Sequence, residues 1–291
     1  MMGSTARTCL LFLLLLAILA PASSACAQYD PLTQRYGKLE LDEKSDFSRI
    51  RIRTRRNIRT LFFVRDSGEE VIESMVDLND PHRLLLDYTK HMFLSYAFQP
   101  QPKRVLIVGL GGGSMVHFLK KYDPKVKIDA VEIDPAIVTI ADERFGIRSE
   151  DNVDIITADG IQYIAETKEQ YDVIYMDAFL KPSGETDVNG VPLKLKTADF
   201  YKLLQDRLQP GGVVVFNLNP HAGTREDVIE ISRAFGQTYV FRLTDSPGLV
   251  AVATMDKDRM PYSTIAKTAK QLDVRFKATV SFEKMASRLA R

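Results

Sequence analysis

The chain has 291 residues, 45% of them hydrophobic, with 39 Lys plus Arg against 38 Asp plus Glu. That length supports one large domain, or one with a small appendage, around a sizeable core. Balanced charge excludes a broad field that would draw nucleic acid or an anionic membrane, so binding has to come from a local site.

The N-terminus carries one early charge, Arg7, then an apolar run from Leu10 to Ala20, Pro21 and the small residues S-S-A-C-A. This is the order of a secretory signal peptide over residues 1–27, and the run falls short of the roughly 20 residues of a bilayer span. An exported protein, periplasmic or secreted and without a membrane span after processing, is therefore expected. Cleavage after Ala27 fits the A-C-A pattern and is preferred; cleavage before Cys26, leaving a lipid anchor on that residue, and an uncleaved anchor are the alternatives. Cys9 and Cys26 are the only cysteines and both lie in the leader, so no disulfide can hold the mature domain.

Residues 28–80 read as a small N-terminal β-domain, with runs K-L-E-L, S-R-I-R-I-R-T, R-T-L-F-F-V and E-V-I-E-S-M-V. Ile50 and Ile52 alternate with Arg49, Arg51 and Arg53, which predicts a half-exposed antiparallel strand with a solvated arginine face. Asp80-Pro81 predicts a helix start, running to about Phe98 with Leu85, Tyr88, Met92 and Tyr96 on one stripe.

Over 81–260 apolar strands alternate with helices: V-L-I-V, K-I-D-A-V-E-I, V-D-I-I-T, D-V-I-Y-M-D and G-V-V-V-F-N. Such strands belong to a parallel sheet covered on both faces, an α/β Rossmann-like core. The runs Q-T-Y-V-F-R-L and G-L-V-A-V-A-T-M have no helix between them and predict a closing antiparallel hairpin. Residues 261–291 read as a C-terminal tail of one or two surface helices.

The first core strand ends in Gly109, with Gly111, Gly112 and Gly113 following. A strand-to-helix turn without Cβ atoms lets a ligand lie against the backbone and the helix N-terminus. The nicotinamide fingerprint fails, because its third glycine would be Ser114. Glu132 ends the next strand where an acid meets ribose hydroxyls, Asp159-Gly160 ends the third where an acceptor could meet an adenine amino group, and Asp177 ends the fourth. The four strand ends converge on one rim, the usual ligand position of an open α/β sheet.

These residues resemble the spermidine synthase, or polyamine aminopropyltransferase, family, and its bacterial spermidine synthase-like branch in particular. G-L-G-G-G-S, P-H-R-L-L-L-D-Y-T-K and Y-D-V-I-Y-M-D-A-F carry the likeness, which spans roughly residues 45–255. The resemblance implies a seven-stranded methyltransferase-type sheet behind the small β-domain. It implies Glu132 as the ribose-binding acid, Asp159 as the adenine-binding acid, Asp177 as the catalytic base and Tyr88 as the tyrosine of a Y-H-E motif. The implied donor is decarboxylated S-adenosylmethionine or S-adenosylmethionine, taken as a substrate with no tightly bound cofactor, and the acceptor is an amine; a homodimer stays open. Four positions depart from the pattern: Gly112 replaces an aspartate that helps hold the donor's amino group, Lys90 an acid, Leu180 a second amine-binding acid and Ser48 a glutamine. A desolvated cation needs carboxylates, so these losses bear on the acceptor.

Aminopropyl transfer needs a carboxylate to take a proton from the attacking amine, and Asp177 is the candidate. A methyltransferase using S-adenosylmethionine is a second reading, opposed by Ile107 where methyltransferases usually place an acid. A non-catalytic exported nucleoside-binding homologue is a third. His82, His91, His117 and His221 lack metal-ligand spacing and read as surface or cap residues, with no metal expected. The arginine run at 49–56 reads as a solvated face rather than a nucleic-acid site. The polar loop 181–195 is expected to act as a substrate gate that orders on ligand binding.

Overall fold

Strand periodicity builds the first sheet of the computed structural model, which describes residues 30–290. The leader, with both cleavage options and Cys26, lies outside the described residues. Helix α1 (Pro31–Tyr36) precedes β1 (Lys38–Lys44), β2 (Arg49–Arg55), β3 (Ile58–Val64) and β4 (Glu70–Asp77), which pair antiparallel in chain order. Ile50 and Ile52 are fully buried, as the alternation predicts.

The arginine face is not simply solvated. Arg49 and Arg51 pair with Asp42, and Arg53, only 3% exposed, donates to both oxygens of Glu70. Glu70 reaches these side chains from β4, and Thr33 and the Gly37 carbonyl close over Arg53, so a charged stripe became an internal ion-pair network.

The pairing of β3 with β4 shifts register, Leu61 facing Ser74 and Phe62 facing Ile72. Glu73 is left as the extra residue of a β-bulge, a device that re-aims a side chain.

Asp80-Pro81 does not start a helix. Asp77 accepts from the Asn79 backbone N–H at 3.0 Å and from the Arg83 side chain, and Arg83 N–H bonds back to the Asp80 carbonyl at 3.0 Å. The segment is thereby closed as a turn, and Leu86 is still extended. Helix α2 starts at Asp87 (Asp87–Met92) and tightens into a 3-10 turn, Phe93–Ala97. Met92 and Tyr96 are buried on the expected stripe, which carries Tyr88 toward the core.

The second sheet has β5 (Arg104–Val108), β6 (Lys127–Glu132), β7 (Val153–Thr157), β8 (Tyr171–Met176), β9 (Leu208–Leu218), β10 (Gln237–Arg242) and β11 (Leu249–Thr254), in the order β10-β11-β9-β8-β5-β6-β7. β5 to β9 run parallel, and β10 and β11 form the antiparallel hairpin expected from the missing helix. Helices α3 (Ser114–Tyr122), α4 (Pro135–Phe145), α5 (Gly160–Glu166), α6 (Ala198–Asp206) and α7 (Thr224–Ala234) connect them. Val105 and Ile107 enter one apolar cluster and Leu106 and Val108 the other, as burial on both faces of a parallel sheet requires. The chain leaves β5 for β6 on one side and returns to β8 on the other, so the topological switch point lies between β5 and β8.

The C-terminal helices α8 (Tyr262–Phe276) and α9 (Phe282–Ala286) are not surface appendages. Ile265, Ala269, Leu272, Phe276 and Phe282 are buried, and Phe276 packs edge-on against Tyr96 at 5.0 Å. Their basic residues occupy only the outer face. Among the described residues no helix is long and apolar enough to cross a membrane.

Candidate active site

A cavity of about 250 Å³ opens beyond the carboxyl ends of β5, β6 and β8, with β4 and Tyr88 among its walls. It sits at the switch point, and Gly109, Gly111, Gly113, Glu132, Asp159, Gly160 and Asp177 all line it.

Gly109 has φ +99°, and a Cβ there would lie 2.1 Å from the Asp177 carbonyl oxygen. Only glycine lets the β5 turn and the end of β8 approach so closely. Gly112 behaves differently from the expectation. It is not part of the cavity wall, and a Cβ on it would meet Ser74 Oγ at 2.9 Å and Phe145 at 3.0 Å. Its bare Cα lets β4 and α4 close over the turn, so no side chain reaches the ligand from this position.

Glu132 organises the turn as well as facing the cavity. Its Oε2 accepts from Leu110 N–H at 2.9 Å and its Oε1 from Asp134 N–H at 3.0 Å. Burial raises its pKa, and these backbone donors oppose the rise. A carboxylate offers about four lone-pair positions, so two remain for a pair of hydroxyls. Asp159 is exposed at the rim and caps α5, its Oδ1 accepting from Ile161 N–H at 2.7 Å and Gln162 N–H at 3.2 Å. Its other oxygen is left for a ligand donor.

Asp177 follows β8, its N–H bonded to the Val108 carbonyl at 2.9 Å. Its Oδ1 accepts from Asn217 Nδ2 at 2.9 Å, and the Tyr88 hydroxyl, which donates to the Glu73 carbonyl at 3.4 Å, lies beside the same carboxylate. Burial pushes Asp177 up to about 7, against the pull of the Asn217 and Tyr88 hydrogen bonds. Burial, with the Asp177 and Glu73 charges, holds Tyr88 well above its ordinary value, so it remains a neutral donor.

Three charged lining residues, and the Asn217 side chain that holds Asp177, were missed from the sequence. Asn217 is the penultimate residue of β9, close enough to that strand's carboxyl end to be found by the same reasoning as Asp177. Glu73 had no such signal, because E-V-I-E-S-M-V reads as plain alternation and gives no sign of the bulge. Glu185 and Lys194 come from the 181–195 loop. That loop is folded back on itself, Leu180 N–H bonding to Gly190 O at 2.8 Å and Leu193 N–H to Glu185 O at 2.9 Å.

The histidines are also more integrated than expected. His91 and His117 are buried, with their rings bonded to the Asp87 and Phe145 carbonyls. His221 lies with Asp187 and Asp227, ligand atoms within 4.8 Å of one another, which spacing alone did not suggest. The Lys196 ammonium already bridges the two aspartates, at 2.6 and 2.8 Å. This cluster ties the 181–195 loop to α7.

A seven-stranded sheet with a closing hairpin, a glycine turn and acids at the following strand ends places an acid-lined cavity at the switch point of a methyltransferase-like fold. A family profile described as the spermine/spermidine synthase domain matches residues 88–275, and the chain belongs to that family. A polyamine aminopropyltransferase of Chromobacterium violaceum is 35% identical over 162 residues, 55% of this chain and 58% of that protein's length. A spermidine synthase solved in complex with the transition-state analogue AdoDATO has a TM-score of 0.66 at 22% identity, over 88% of this chain and 86% of that one. Human methyltransferase-like protein 13, solved in complex with SAH, has a TM-score of 0.61 at 26% identity, over 67% of this chain and 95% of that one.

Proposed function

We propose that the protein transfers an aminopropyl group from decarboxylated S-adenosylmethionine to an amine, with Asp177 as the base. The charge of the cavity carries this reading. Glu73, Glu132, Asp159, Asp177 and Glu185 line it against one lysine, Lys194, among the described residues. A wall of this sign suits a donor with a free ammonium and no carboxylate, and a cationic acceptor.

In this mechanism Glu132 binds the ribose hydroxyls, Asp159 the adenine amino group, and the Gly109–Gly113 turn lies against the donor's backbone-facing side. Tyr88 and Asn217 fix the Asp177 carboxylate toward the acceptor nitrogen. Asp177 removes a proton from the acceptor ammonium. The freed lone pair attacks the propyl carbon next to the sulfonium, that C–S bond breaks with its electrons passing to sulfur, and a neutral thioether leaves. A base with a pKa of about 7 is matched to a proton transfer near neutral pH.

Methyl transfer from S-adenosylmethionine is the second reading, favoured by the likeness to a methyltransferase holding SAH. Calorimetric titration with the two donors tests both. Tighter binding of the decarboxylated donor supports aminopropyl transfer, tighter binding of the carboxylated one supports methyl transfer, and binding of neither overturns both.

The charged, apolar and small-residue order of residues 1–27 supports export as part of the same proposal. Detection of the chain only in the cytoplasmic fraction of its host would contradict that part.

A further inference from the structure

We propose that the recess beside the main cavity, between the β3–β4 turn and the start of the 181–195 loop, binds a carboxylate through Arg65 and Lys181, so that the acceptor is an amino acid whose amine reaches Asp177. The inference rests on the aminopropyl-transfer reading for which end of the acceptor reacts, and on the wall of the recess for the subsite.

Sheet geometry places the two cations. Arg65 N–H bonds to the Glu69 carbonyl at 2.9 Å, which carries the strand pairing one residue past β3. Side chains two apart on a strand share a face, so Arg65 follows Phe63 onto the side that faces the cavity. Phe63, Glu73 and Leu180 line both the cavity and the recess, so the one continues into the other. Leu180 lies three residues after Asp177 and is followed by Lys181, which brings the second cation to the recess.

The sign of the recess is opposite to that of the cavity. Arg65 and Lys181 line it against one carboxyl, Glu73, among the described residues. The fold makes little use of either cation. Lys181 pairs with Asp66 at 2.5 Å and Arg65 with Glu69 at 3.4 Å, but those acids are 84% and 60% exposed, and pairs of that kind contribute little. Arg65 Nε is buried and has no acceptor among the described residues, and the Lys181 ammonium keeps further donors beside the one on Asp66. An orphaned buried donor costs free energy until an acceptor reaches it, and a carboxylate between a guanidinium and an ammonium supplies one with charge assistance.

Glu73 does not oppose the anion. Burial, then the Asp177 charge, lifts its carboxyl well above the ordinary range against the pull of Arg65, so it stands protonated and offers an O–H. A carboxylate beside it would raise it further. The chemistry of the acceptor follows: an amine that loses its proton at Asp177, an alkyl stem along Phe63 and Leu180, and a carboxylate on Arg65 and Lys181. A diamine would set an ammonium against two cations, and a monoamine leaves Arg65 Nε–H without an acceptor.

The test is a calorimetric titration of the whole protein, with 5′-methylthioadenosine in the donor site, against 4-aminobutanoate, 5-aminopentanoate and 6-aminohexanoate. Each is compared with the alkylamine of the same carbon number and with 1,4-diaminobutane. For the wild type the best amino acid is expected to bind about ten-fold tighter than its alkylamine and than the diamine, the scale of one charge-assisted hydrogen bond. Arg65→Gln and Lys181→Gln should each remove most of that preference while 5′-methylthioadenosine affinity, which reports a folded donor site, stays unchanged. Lys181→Arg, which keeps the charge, should retain it. Tightest binding of the diamine, equal binding of amino acid and alkylamine, binding of none of them, or a preference that survives both Gln variants overturns the inference. Turnover separates it from the wider reading. An amino-acid preference that depends on Arg65 and Lys181 without aminopropyl transfer leaves the subsite standing and removes the reaction, whereas transfer to amines with no preference for a carboxylate does the reverse.

Discussion

Glu70 and Glu73 lie three positions apart on β4 and meet opposite fates. Burial would raise Glu70, but hydrogen bonds from Arg53 and Arg51 outweigh it and hold the carboxyl below its ordinary value. Glu73 has burial and Asp177 acting together, and is held high. A similar contrast separates the arginine-paired acids of the N-terminal sheet from the acids at the cavity rim. In the N-terminal sheet arginines meet the buried acid, and Asp42 falls to about 2 through its hydrogen bond to Arg49. At the rim of the second sheet the acids have backbone, amide and phenol donors but no bonded cation among the described residues. Charge is satisfied internally where it holds the fold and left open where a cationic ligand is expected.

The contrast can be broken most severely at Asp177. Asp177→Asn should lower turnover by about 10²- to 10⁴-fold while the donor still binds. Unchanged turnover in a steady-state assay would remove Asp177 from the role of base.

Breaking the internal pair should cost stability rather than activity. Arg53→Ala leaves Glu70 buried without its main partner and is expected to destabilise by about 3 kcal/mol or more, read by denaturant unfolding. Glu73→Gln should be neutral or stabilising in the same experiment, since burial and the Asp177 charge already disfavour the ionised carboxyl that it replaces. Equal losses for the two variants would dissolve the distinction between the acids.

The pH dependence of stability sharpens it further, because Asp177 and Asp42 act with opposite sign. Asp177 has a folded pKa of about 7 against an ordinary value of 3.8, so between those values the native state keeps a proton that the unfolded chain has lost. Its contribution therefore falls as pH rises through that window, on the order of 1.4 kcal/mol for each pH unit crossed. Asp42, lowered to about 2, contributes stability that is present above 3.8 and lost as pH falls toward 2. Asp177→Asn should flatten the upper window and leave the acid limb unchanged in thermal unfolding scans.

The smallest effect is expected at the loop. Lys196→Ala frees Asp187 from Asp227 across the link to α7, and should cost about 1 kcal/mol or less while raising the rate of proteolysis within 181–195. Equal proteolysis would mean that the loop's remaining bonds, among them Leu180 N–H to Gly190 O and Asn189 to the Asn219 carbonyl, hold it without the lysine.

Much of the second sheet was legible, because strand and helix periods differ and the hairpin announced itself by a missing helix. Glu132, Asp159 and Asp177 were legible because each terminates a strand, which fixes its position on the rim before any tertiary contact is known. Glu73 was not, since a bulge is a property of pairing between β3 and β4 and leaves the composition of either strand unremarkable. The false helix at Asp80-Pro81 has a related cause: the capping signal is local, while Asp77 and Arg83 closed the segment into a turn. Gly112 illustrates a third limit, as sequence could group it with its neighbours but could not show that Ser74 and Phe145 cover it.

If Asp177 is the base of an aminopropyl transfer, it sets the pH dependence of single-turnover transfer from decarboxylated S-adenosylmethionine. The rate is expected to rise through an apparent pKa near 7, and the rising limb to disappear in Asp177→Asn. A limb that persists in the variant, or a wild-type rate that does not rise with pH, would contradict it.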